Sequence, residues 1–281
     1  LYDSDVPEYN LSVDWYDGAV RVEEYARPKQ VDPAIAERRL ADALRVVPEV
    51  LGVDPREVRL RVRRRLGEGE QHERIGDAGT RREVREGDLR FLVNLDDYLD
   101  TGLFLDDRLL RRRIREGARG VRFLNLFAYT CAASVAAAVG GAAATVSVDL
   151  SRAYLAWGED HFRLNGHADP RHRFLRTDVL ALLRQPARRP FDRIFVAPPS
   201  RSRSKAMASA FDLQRDHPEL LGMAARNLAT GGELLFATHL RTFALDDRLA
   251  GRFDLDEITD EITPPDFSRR PRLRAWSLRK R

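Results

Sequence analysis

The sequence predicts an α/β protein of two domains, a smaller β-rich α+β domain over residues 1–105 and a larger domain with a mostly parallel sheet over residues 106–281. Hairpin patterns dominate the first part, whereas strands and helices alternate from residue 121 onward. Several strands of the second part end in polar or turn residues, as at the ligand-binding edge of an open sheet. With 281 residues, 43% of them hydrophobic, the chain can bury one good core and one smaller core.

The first domain is predicted to open with a β-hairpin over residues 11–25, because alternating apolar and polar residues flank Asp17-Gly18. A helix over residues 32–51 follows, with Asp32 as N-cap, and Gly52 ends it. Pro48 is a candidate for an earlier end of that helix.

Two more β segments complete the first domain. In the predicted strand 58–66, Val58, Leu60 and Val62 alternate with arginines, so that one side is expected to face a core and the other to form a cationic row. A polar loop over residues 67–79 leads to a second predicted hairpin over residues 81–93.

The second domain is predicted around a strand, turn, helix and strand. An apolar run at 121–127 indicates a strand buried on both faces, followed by a small-residue helix at 132–139 and a second strand at 144–148. This order predicts a right-handed, Rossmann-like crossover. Its turn presents backbone N–H groups at a helix N-terminus, and Asp149 is placed to accept the hydroxyls of a ribose. A purely structural α/β unit produces the same pattern.

The remaining elements extend this sheet. A helix over residues 151–164 is predicted with Ser151 as N-cap. Strands are predicted at 174–177, at 191–196 before Ala197-Pro198-Pro199, and at 233–238 after a Gly-Gly turn, with a closing hairpin of 253–262 and 272–278.

A carboxylate-rich segment over residues 95–108 joins the two domains. Its aspartates are candidate metal ligands, but the spacing favours capping of the arginine-rich helix that follows, with ion pairs to its arginines. The aspartates of this segment are Asp96, Asp97, Asp100, Asp106 and Asp107.

Cys131 is the only cysteine, which excludes an intrachain disulfide and a multi-thiolate metal site. We therefore expect no structural metal.

Arginines are clustered although the net charge is only +4. Such clusters favour RNA binding through phosphate contacts, while the alternative is that they only solvate the surface. The predicted RNA-binding residues are Arg59, Arg61, Arg63, Arg111, Arg112 and Arg113, with a further basic tail over residues 269–281.

No stretch has the length of a membrane span or the residue order of a signal peptide, so a soluble, cytoplasmic protein is expected. The first residue, Leu1, suggests a piece of a longer polypeptide.

Several motifs together resemble one family over nearly the whole chain. The sequence resembles the C-terminal, guanine-N7-methylating half of the bacterial bifunctional 23S ribosomal RNA methyltransferases, and more broadly the RNA methyltransferases with a class I S-adenosylmethionine fold. The motifs are LYDSDVPEYN, FLVNLDDYLDTGLFLDDR, FLNLFAYT, VDLSRAYLAWGEDHFRLNG, the Pro198-Pro199 pair with SRSK beyond it, and AFDLQRDHPELL.

The resemblance implies S-adenosylmethionine as cofactor and 23S ribosomal RNA as partner, with a fused or neighbouring N-terminal methyltransferase module. Asp149 would hold the ribose hydroxyls, and Asp178 the adenine amino group. The implied cofactor-binding residues are Phe104, Arg108, Asn125, Phe127, Tyr129, Thr130, Cys131, Asp149, Ser151 and Asp178. The implied catalytic positions are Ala197, Pro198, Pro199 and Arg201.

Three residues depart from the family pattern. Cys131 replaces a glycine that lets the backbone approach the ligand, while Ala197 and Arg201 replace an aspartate and an aromatic residue that hold and stack the target base. Three hypotheses therefore remain: an active methyltransferase, a catalytically impaired homologue that serves as an RNA-binding or ribosome-assembly factor, and a nicotinamide-dependent oxidoreductase. The last lacks the glycine fingerprint.

Overall fold

The computed structural model describes residues 1–25, 31–62, 80–97, 100–202, 210–269 and 273–280. The contacts divide the chain into two compact units, one of Leu1–Arg85 with Val93–Thr101 and the other of Glu86–Leu92 with Gly102–Arg281. Arg63, the predicted loop at 67–79 and part of the basic tail lie outside the described residues. None of the helices in the described ranges is long and apolar enough to cross a membrane.

The first unit contains a four-stranded sheet in the order β1-β2-β3-β4 and one long helix. The predicted hairpin is confirmed, since β2 and β3 pair in antiparallel register around Asp17 and Gly18, which both have positive φ (47° and 91°). Pro48 does not shorten the helix, which ends at Gly52 with φ 65°. The elements are β1 (Tyr2–Asp3), β2 (Leu11–Tyr16), β3 (Ala19–Glu24), α1 (Pro33–Leu51) and β4 (Val58–Val62).

The orientation predicted for β4 is wrong for most of the strand. Val58 packs against the core, but Leu60 and Val62 are 43% and 50% exposed, whereas Arg59 and Arg61 are half-buried. The cause is Asp96, whose carboxylate pairs with Arg59 Nε at 3.0 Å and whose carbonyl accepts a hydrogen bond from Arg61 at 3.2 Å. The arginine side of this edge strand is therefore the covered side.

A two-stranded hairpin follows, β5 (Arg82–Glu86) and β6 (Leu89–Val93), as the sequence predicts. Strands and helices then alternate. The further strands are β7 (Arg122–Leu126), β8 (Ala144–Asp149), β9 (His172–Arg176), β10 (Phe191–Val196), β11 (Arg201–Ser202), β12 (Phe211–Asp212), β13 (Leu228–Thr238), β14 (Phe253–Glu257) and β15 (Arg274–Lys280). The further helices are α2 (Arg108–Glu116), α3 (Ala132–Val139), α4 (Arg152–Leu164), α5 (Val179–Leu183), α6 (Leu213–Arg226) and α7 (Thr259–Ile262).

The second unit is organised by a seven-stranded sheet in the order β14-β15-β13-β10-β7-β8-β9. Neighbouring strands are parallel except at β15, which runs antiparallel to both β13 and β14. This arrangement confirms the predicted α/β class and the central place of β7. The strand order reverses between β7 and β10, so their carboxyl ends form the topological switch point where such sheets bind ligands.

Helix α6 was not predicted from the sequence, and it contains Pro218. Proline has no N–H for the carbonyl one turn earlier, which is that of Gln214. The Nδ1 of His217 lies 3.0 Å from that carbonyl and takes the place of the missing donor. Burial lowers the pKa of His217, and its Nε2 accepts a hydrogen bond from the Asp246 N–H at 3.0 Å, as a neutral imidazole does.

Candidate functional site

The loop between β7 and α3 has a strained backbone. Phe127, Tyr129 and Cys131 have φ values of 58°, 49° and 61°, the left-handed region that favours glycine. Each such residue is destabilised by about 1–2 kcal/mol, so the conformation persists only where the surroundings impose it. Strained backbone of this kind clusters at binding sites, and this loop lies at the carboxyl end of the central strand.

Hydrogen bonds from three directions hold the loop in place. The Tyr129 N–H donates to Asp149 Oδ2 at 2.9 Å. The Thr130 hydroxyl donates to the Gly102 carbonyl at 2.7 Å, and the Thr130 carbonyl accepts from Nδ1 of His161 at 2.9 Å. Thr130 and His161 are both buried, so these bonds are shielded from water. The loop is therefore fixed before any ligand arrives.

Asp149 ends β8 beside this loop. Its Oδ1 accepts a hydrogen bond from the Ser151 N–H at 2.8 Å, and Ser151 in turn caps α4 by accepting from the Tyr154 N–H at 3.2 Å. Both carboxylate oxygens thus have a backbone donor, and a carboxylate oxygen can accept more than one hydrogen bond. Two adjacent hydroxyl groups can be held by such a carboxylate.

Asp178 and Asn125 differ in their accessibility to a ligand. Asp178, at the end of β9, is half-buried and caps α5 through Oδ1, which accepts from the Ala181 N–H at 2.7 Å. Asn125 is 2% exposed, and its amide donates to Ser134 at 2.9 Å. Asn125 therefore lies in the interior and bonds to α3.

Cys131 does not obstruct the ligand side of the loop as the sequence suggested. Its side chain is completely buried, and a Cβ built on Gly158 of α4 would lie 2.5 Å from its Sγ. Burial also raises the pKa of the thiol well above its usual range. The sulfur is thus a neutral packing group that occupies the space above Gly158.

Aromatic rings cluster next to the loop. The Phe104 ring lies 5.4 Å from the Tyr129 ring and 5.4 Å from the His239 ring, and Tyr129 contacts Tyr154 at 4.5 Å between centroids. Phe104 is 37% exposed, so this cluster offers a surface on which a flat ligand can stack. Arg108, predicted at the same site, pairs with the carboxylate of Asp266.

The end of β10 lies beside the end of β7, since the Ala197 N–H donates to the Leu126 carbonyl at 3.4 Å. Pro198 is buried and Pro199 half-buried. The Arg201 side chain is 70% exposed, with Nε 3.5 Å from an Asp212 carboxylate oxygen. These positions therefore bring a methyl group and a cation to the edge where the family pattern has a carboxylate and an aromatic ring.

The sequence interpretation missed His239, which follows β13 at the same edge. Its Nε2 lies 3.1 Å from Asp106 Oδ2 and 3.7 Å from Asp107 Oδ1. Burial beside Asp106 raises the pKa of the Asp107 carboxyl to about 6. Asp107 occupies the N-cap position of α2 but makes no side-chain cap hydrogen bond, contrary to the predicted capping role. A polar residue directly after a central parallel strand was the available signal for His239.

The arginine block of α2, predicted to contact RNA, is largely engaged in ion pairs within the chain. Arg111 is buried and its Nε donates to Glu86 at 2.8 Å. Arg113 pairs with Glu261 at 2.9 Å and with Glu233 at 3.4 Å. The Arg112 side chain is 64% exposed, and its ion pair with Glu116 is long at 3.8 Å. Arg112 therefore remains accessible to a phosphate.

Comparison with known proteins identifies the family. The model of the S-adenosylmethionine-dependent methyltransferases matches residues 5–270. The chain belongs to this methyltransferase family. Its cofactor is therefore S-adenosylmethionine, and the nicotinamide hypothesis is wrong. The site fits this cofactor, because Asp149 suits the ribose hydroxyls and the Tyr129 to Tyr154 cluster offers a stacking surface.

Two curated relatives match nearly the whole methyltransferase chain. A protein named ribosomal RNA large subunit methyltransferase K/L from Pseudomonas putida (strain W619) is 50% identical over 282 residues, and a protein of the same name from Chromohalobacter salexigens is 52% identical over 273 residues. The matches cover 100% and 97% of this chain but only 38% and 37% of the relatives. The family resemblance drawn from the motifs is thereby confirmed.

Solved structures show the same fold. A methyltransferase complexed with SAH superposes with a TM-score of 0.76 at 24% identity, covering 96% of this chain and 71% of that chain. A methyltransferase from Streptococcus mutans gives a TM-score of 0.73 at 25% identity with the same coverage. The Rossmann-like class I methyltransferase sheet predicted from the sequence is confirmed.

Asp149→Ala is expected to weaken S-adenosylmethionine binding by about tenfold or more, because a carboxylate that accepts two desolvated hydroxyls contributes on the order of 1.5–3 kcal/mol. Calorimetric titration with the cofactor measures this loss. Asp247→Asn, at an exposed carboxylate, is the control and should leave affinity unchanged. An unaltered affinity in Asp149→Ala would place the ribose elsewhere.

Proposed function

We propose that this methyltransferase transfers a methyl group from S-adenosylmethionine to N7 of a guanine in 23S ribosomal RNA. The observation that carries the proposal is the 50% identity over the full chain to a relative named as a large-subunit ribosomal RNA methyltransferase. The chain spans 38% of that relative, and we propose that residues 1–105 bind RNA, that residues 106–281 carry out the transfer, and that a fused or neighbouring N-terminal methyltransferase module accompanies them in the cytoplasm.

The chemistry of guanine N7 suits the residues at the switch point. When bound, the cofactor supplies an electrophilic methyl group. N7 carries an exposed lone pair, so no side chain has to remove a proton, and the protein has only to align the base with the methyl group. Ala197 offers no carboxylate at the end of β10, which is a smaller loss for N7 than for an exocyclic amine, because an amine acceptor loses a proton during transfer.

Methylation at carbon 5 of cytosine is disfavoured by the state of the one cysteine. That reaction requires a thiolate nucleophile next to the base. The Cys131 side chain is completely buried against Gly158, and burial raises the pKa of its thiol. Cys131 therefore neither reaches a base nor ionises readily.

The proposed RNA contacts are electrostatic. Arg112 is the most exposed of the three predicted contacts in α2, while Arg59 and Arg61 of the first unit are half-buried and bonded to Asp96. We propose that Arg112 contacts a phosphate, and that Arg59 does so at its 40% exposed side chain. Arg61 and Arg111 then position neighbouring groups, and Arg63 stays a proposed contact outside the described residues.

A second candidate is a homologue with impaired catalysis that serves as an RNA-binding or ribosome-assembly factor. Ala197 and Arg201 favour it, because they replace the groups that hold and stack the base in the family pattern. The exposed Arg201 side chain suits a phosphate better than a base.

Methyl incorporation distinguishes the two candidates. The double substitution Ala197→Asp with Arg201→Phe is expected to raise the rate at saturating cofactor, because a carboxylate and a ring would orient the base for in-line attack. Tritiated methyl transfer to 23S ribosomal RNA measures the rate, and reduction followed by aniline cleavage detects 7-methylguanine. Arg188→Phe, at an exposed arginine before the amino end of β10, controls for the added ring.

The outcomes separate clearly. Product cleaved at guanine by the unaltered chain supports N7 methylation, whether or not the double substitution accelerates it. No incorporation by the unaltered chain, together with salt-sensitive RNA binding and gain of activity in the double variant, supports the impaired homologue. Incorporation without cleavage at guanine would reject N7 as the acceptor.

A further inference from the structure

Asp106, Asp107 and His239 form a compact cluster at the carboxyl edge of the sheet. One imidazole nitrogen and two carboxylate oxygens lie within 4.8 Å of one another. The residues come from two elements, the turn before α2 and the end of β13, and His239 contacts the Phe104 ring. This places the cluster next to the aromatic surface of the cofactor site.

One carboxylate of the cluster, that of Asp107, is incompletely compensated. Asp107 Oδ1 is buried and has no hydrogen-bond partner among the described residues. The imidazole of His239 reaches Asp106 Oδ2 at 3.1 Å, but its distance of 3.7 Å from Asp107 Oδ1 is too long for a hydrogen bond. The Nε2 proton of His239 can therefore be donated to Asp106, while Asp107 Oδ1 receives no hydrogen bond from it. Neighbouring carboxylates with a buried, unpartnered oxygen are costly unless a cation lies between them.

We propose that Asp106, Asp107 and His239 bind a first-row divalent cation, with Mn²⁺ and Zn²⁺ as the best-matched ions. Ligand atoms about 2.0–2.2 Å from such an ion stand roughly 3–3.6 Å from each other at tetrahedral or octahedral angles. The 3.1 Å pair already meets this spacing, and the 3.7 Å pair needs a shift of a few tenths of an ångström. An imidazole with two carboxylates suits these ions better than Mg²⁺, which prefers oxygen ligands.

The proposed ion keeps open positions on the solvent side. Three protein ligands leave at least one position free, and the His239 side chain is 42% exposed whereas those of Asp106 and Asp107 are 11% and 18% exposed. Water or a phosphate oxygen of an approaching RNA fits such a position. The ion would thus turn an acidic edge into one that accepts a polyanion.

Calorimetry of the full chain, stripped of metal with a chelator, tests the site with Mn²⁺ and Zn²⁺ in the absence of RNA and cofactor. The expected result is one ion per chain, with affinity at least tenfold weaker in His239→Ala and in Asp107→Asn. His167→Ala and Asp247→Asn are matched controls elsewhere in the second unit and should bind like the unaltered chain. Electron paramagnetic resonance of bound Mn²⁺ provides a second, independent readout.

Thermal unfolding keeps the test meaningful if a variant folds poorly. A bound ion stabilises the folded chain, so Mn²⁺ should raise Tm of the unaltered chain and of the two controls but not of His239→Ala. The proposal is overturned if the unaltered chain binds neither ion at millimolar concentration, or if His239→Ala binds as well as its parent. Equal binding of Mg²⁺ and Mn²⁺, insensitive to His239→Ala, would equally reject the imidazole ligand. Because no RNA is present, these outcomes are independent of the proposed methyl transfer.

Discussion

Gly102→Ala is expected to lower the free energy of unfolding by about 2–5 kcal/mol, since overpacking a buried site typically costs about 1–3 kcal/mol and a left-handed non-glycine residue adds about 1–2 kcal/mol. Gly102 has φ 91°, and an added Cβ would lie 2.4 Å from a ring carbon of Trp157. Trp157 is fully buried and its Nε1 donates to the Leu92 carbonyl at 3.0 Å, so the ring has little room to move. Urea denaturation measures the loss.

The matched control is Gly166→Ala. Gly166 also has a positive φ, 75°, but nothing lies within 4 Å of its added Cβ. This substitution should therefore show the backbone strain alone, about 1–2 kcal/mol. Gly102→Ala should also weaken cofactor binding, because the Gly102 carbonyl anchors Thr130 in the strained loop. Equal losses of stability in the two variants would show that the contact with Trp157 contributes nothing.

Cys131 and Gly158 are expected to be strongly coupled. Gly158→Ala places a methyl group 2.5 Å from Cys131 Sγ and should destabilise the unaltered chain by about 2 kcal/mol. In the Cys131→Gly background the sulfur is absent, and the same change should instead stabilise by up to about 1 kcal/mol, because alanine favours a helix interior. The coupling energy is then on the order of 2–3 kcal/mol, near the upper end for residues in contact.

A double-mutant cycle from urea denaturation of the four proteins measures this coupling. Gly222→Ala, within α6, is the control, since its added Cβ meets only the end of the Arg252 side chain at 3.2 Å. That change should have the same effect with Cys131 or with glycine at position 131. Additive effects of Cys131→Gly and Gly158→Ala would contradict the proposed packing. Cofactor affinity should change little in Cys131→Gly, because the side chain it removes is buried.

The elements bounded by glycine or proline were predictable from the sequence. Helix α3 and strand β10 have the predicted bounds, because glycine or proline flanks a short apolar run in each case. Strand β13 begins at Leu228 rather than at Glu233, since the Gly-Gly pair sits in a register shift of the strand and not in a turn before it. A bulge and a turn have the same glycine signature.

Features that depend on distant residues were not predictable in this way. The orientation of β4 depends on Asp96, which lies far along the chain from Arg59 and covers the arginine side. The pairing of Arg111 with Glu86 likewise removes an exposed cation that composition alone suggested. Alternation shows that two faces differ, but not which of them another segment will cover.

The residues of the candidate site also fall into those predictable from local sequence and those that depend on distant residues. Asp149 ends strand β8 and Ser151 comes two residues later, so their places at the edge of the sheet could be predicted from local order. The left-handed backbone of Phe127 and Tyr129 could not, because these residue types avoid that region. His239 and Asp106 are 133 positions apart, and only the fold brings them into contact.

The packing of Cys131 on Gly158 also bears on how such a sequence can change over generations. A cysteine at position 131 packs without strain only while position 158 has no side chain, because the sulfur fills the space that a Cβ would need. A change from glycine to cysteine at position 131 is therefore best accommodated in a chain that already has Gly158, and is destabilising by about 2 kcal/mol where alanine stands at 158. With Cys131 present, a larger residue at 158 is favoured only after position 131 returns to glycine. The volume of one sulfur atom thus sets the favoured order of the two replacements.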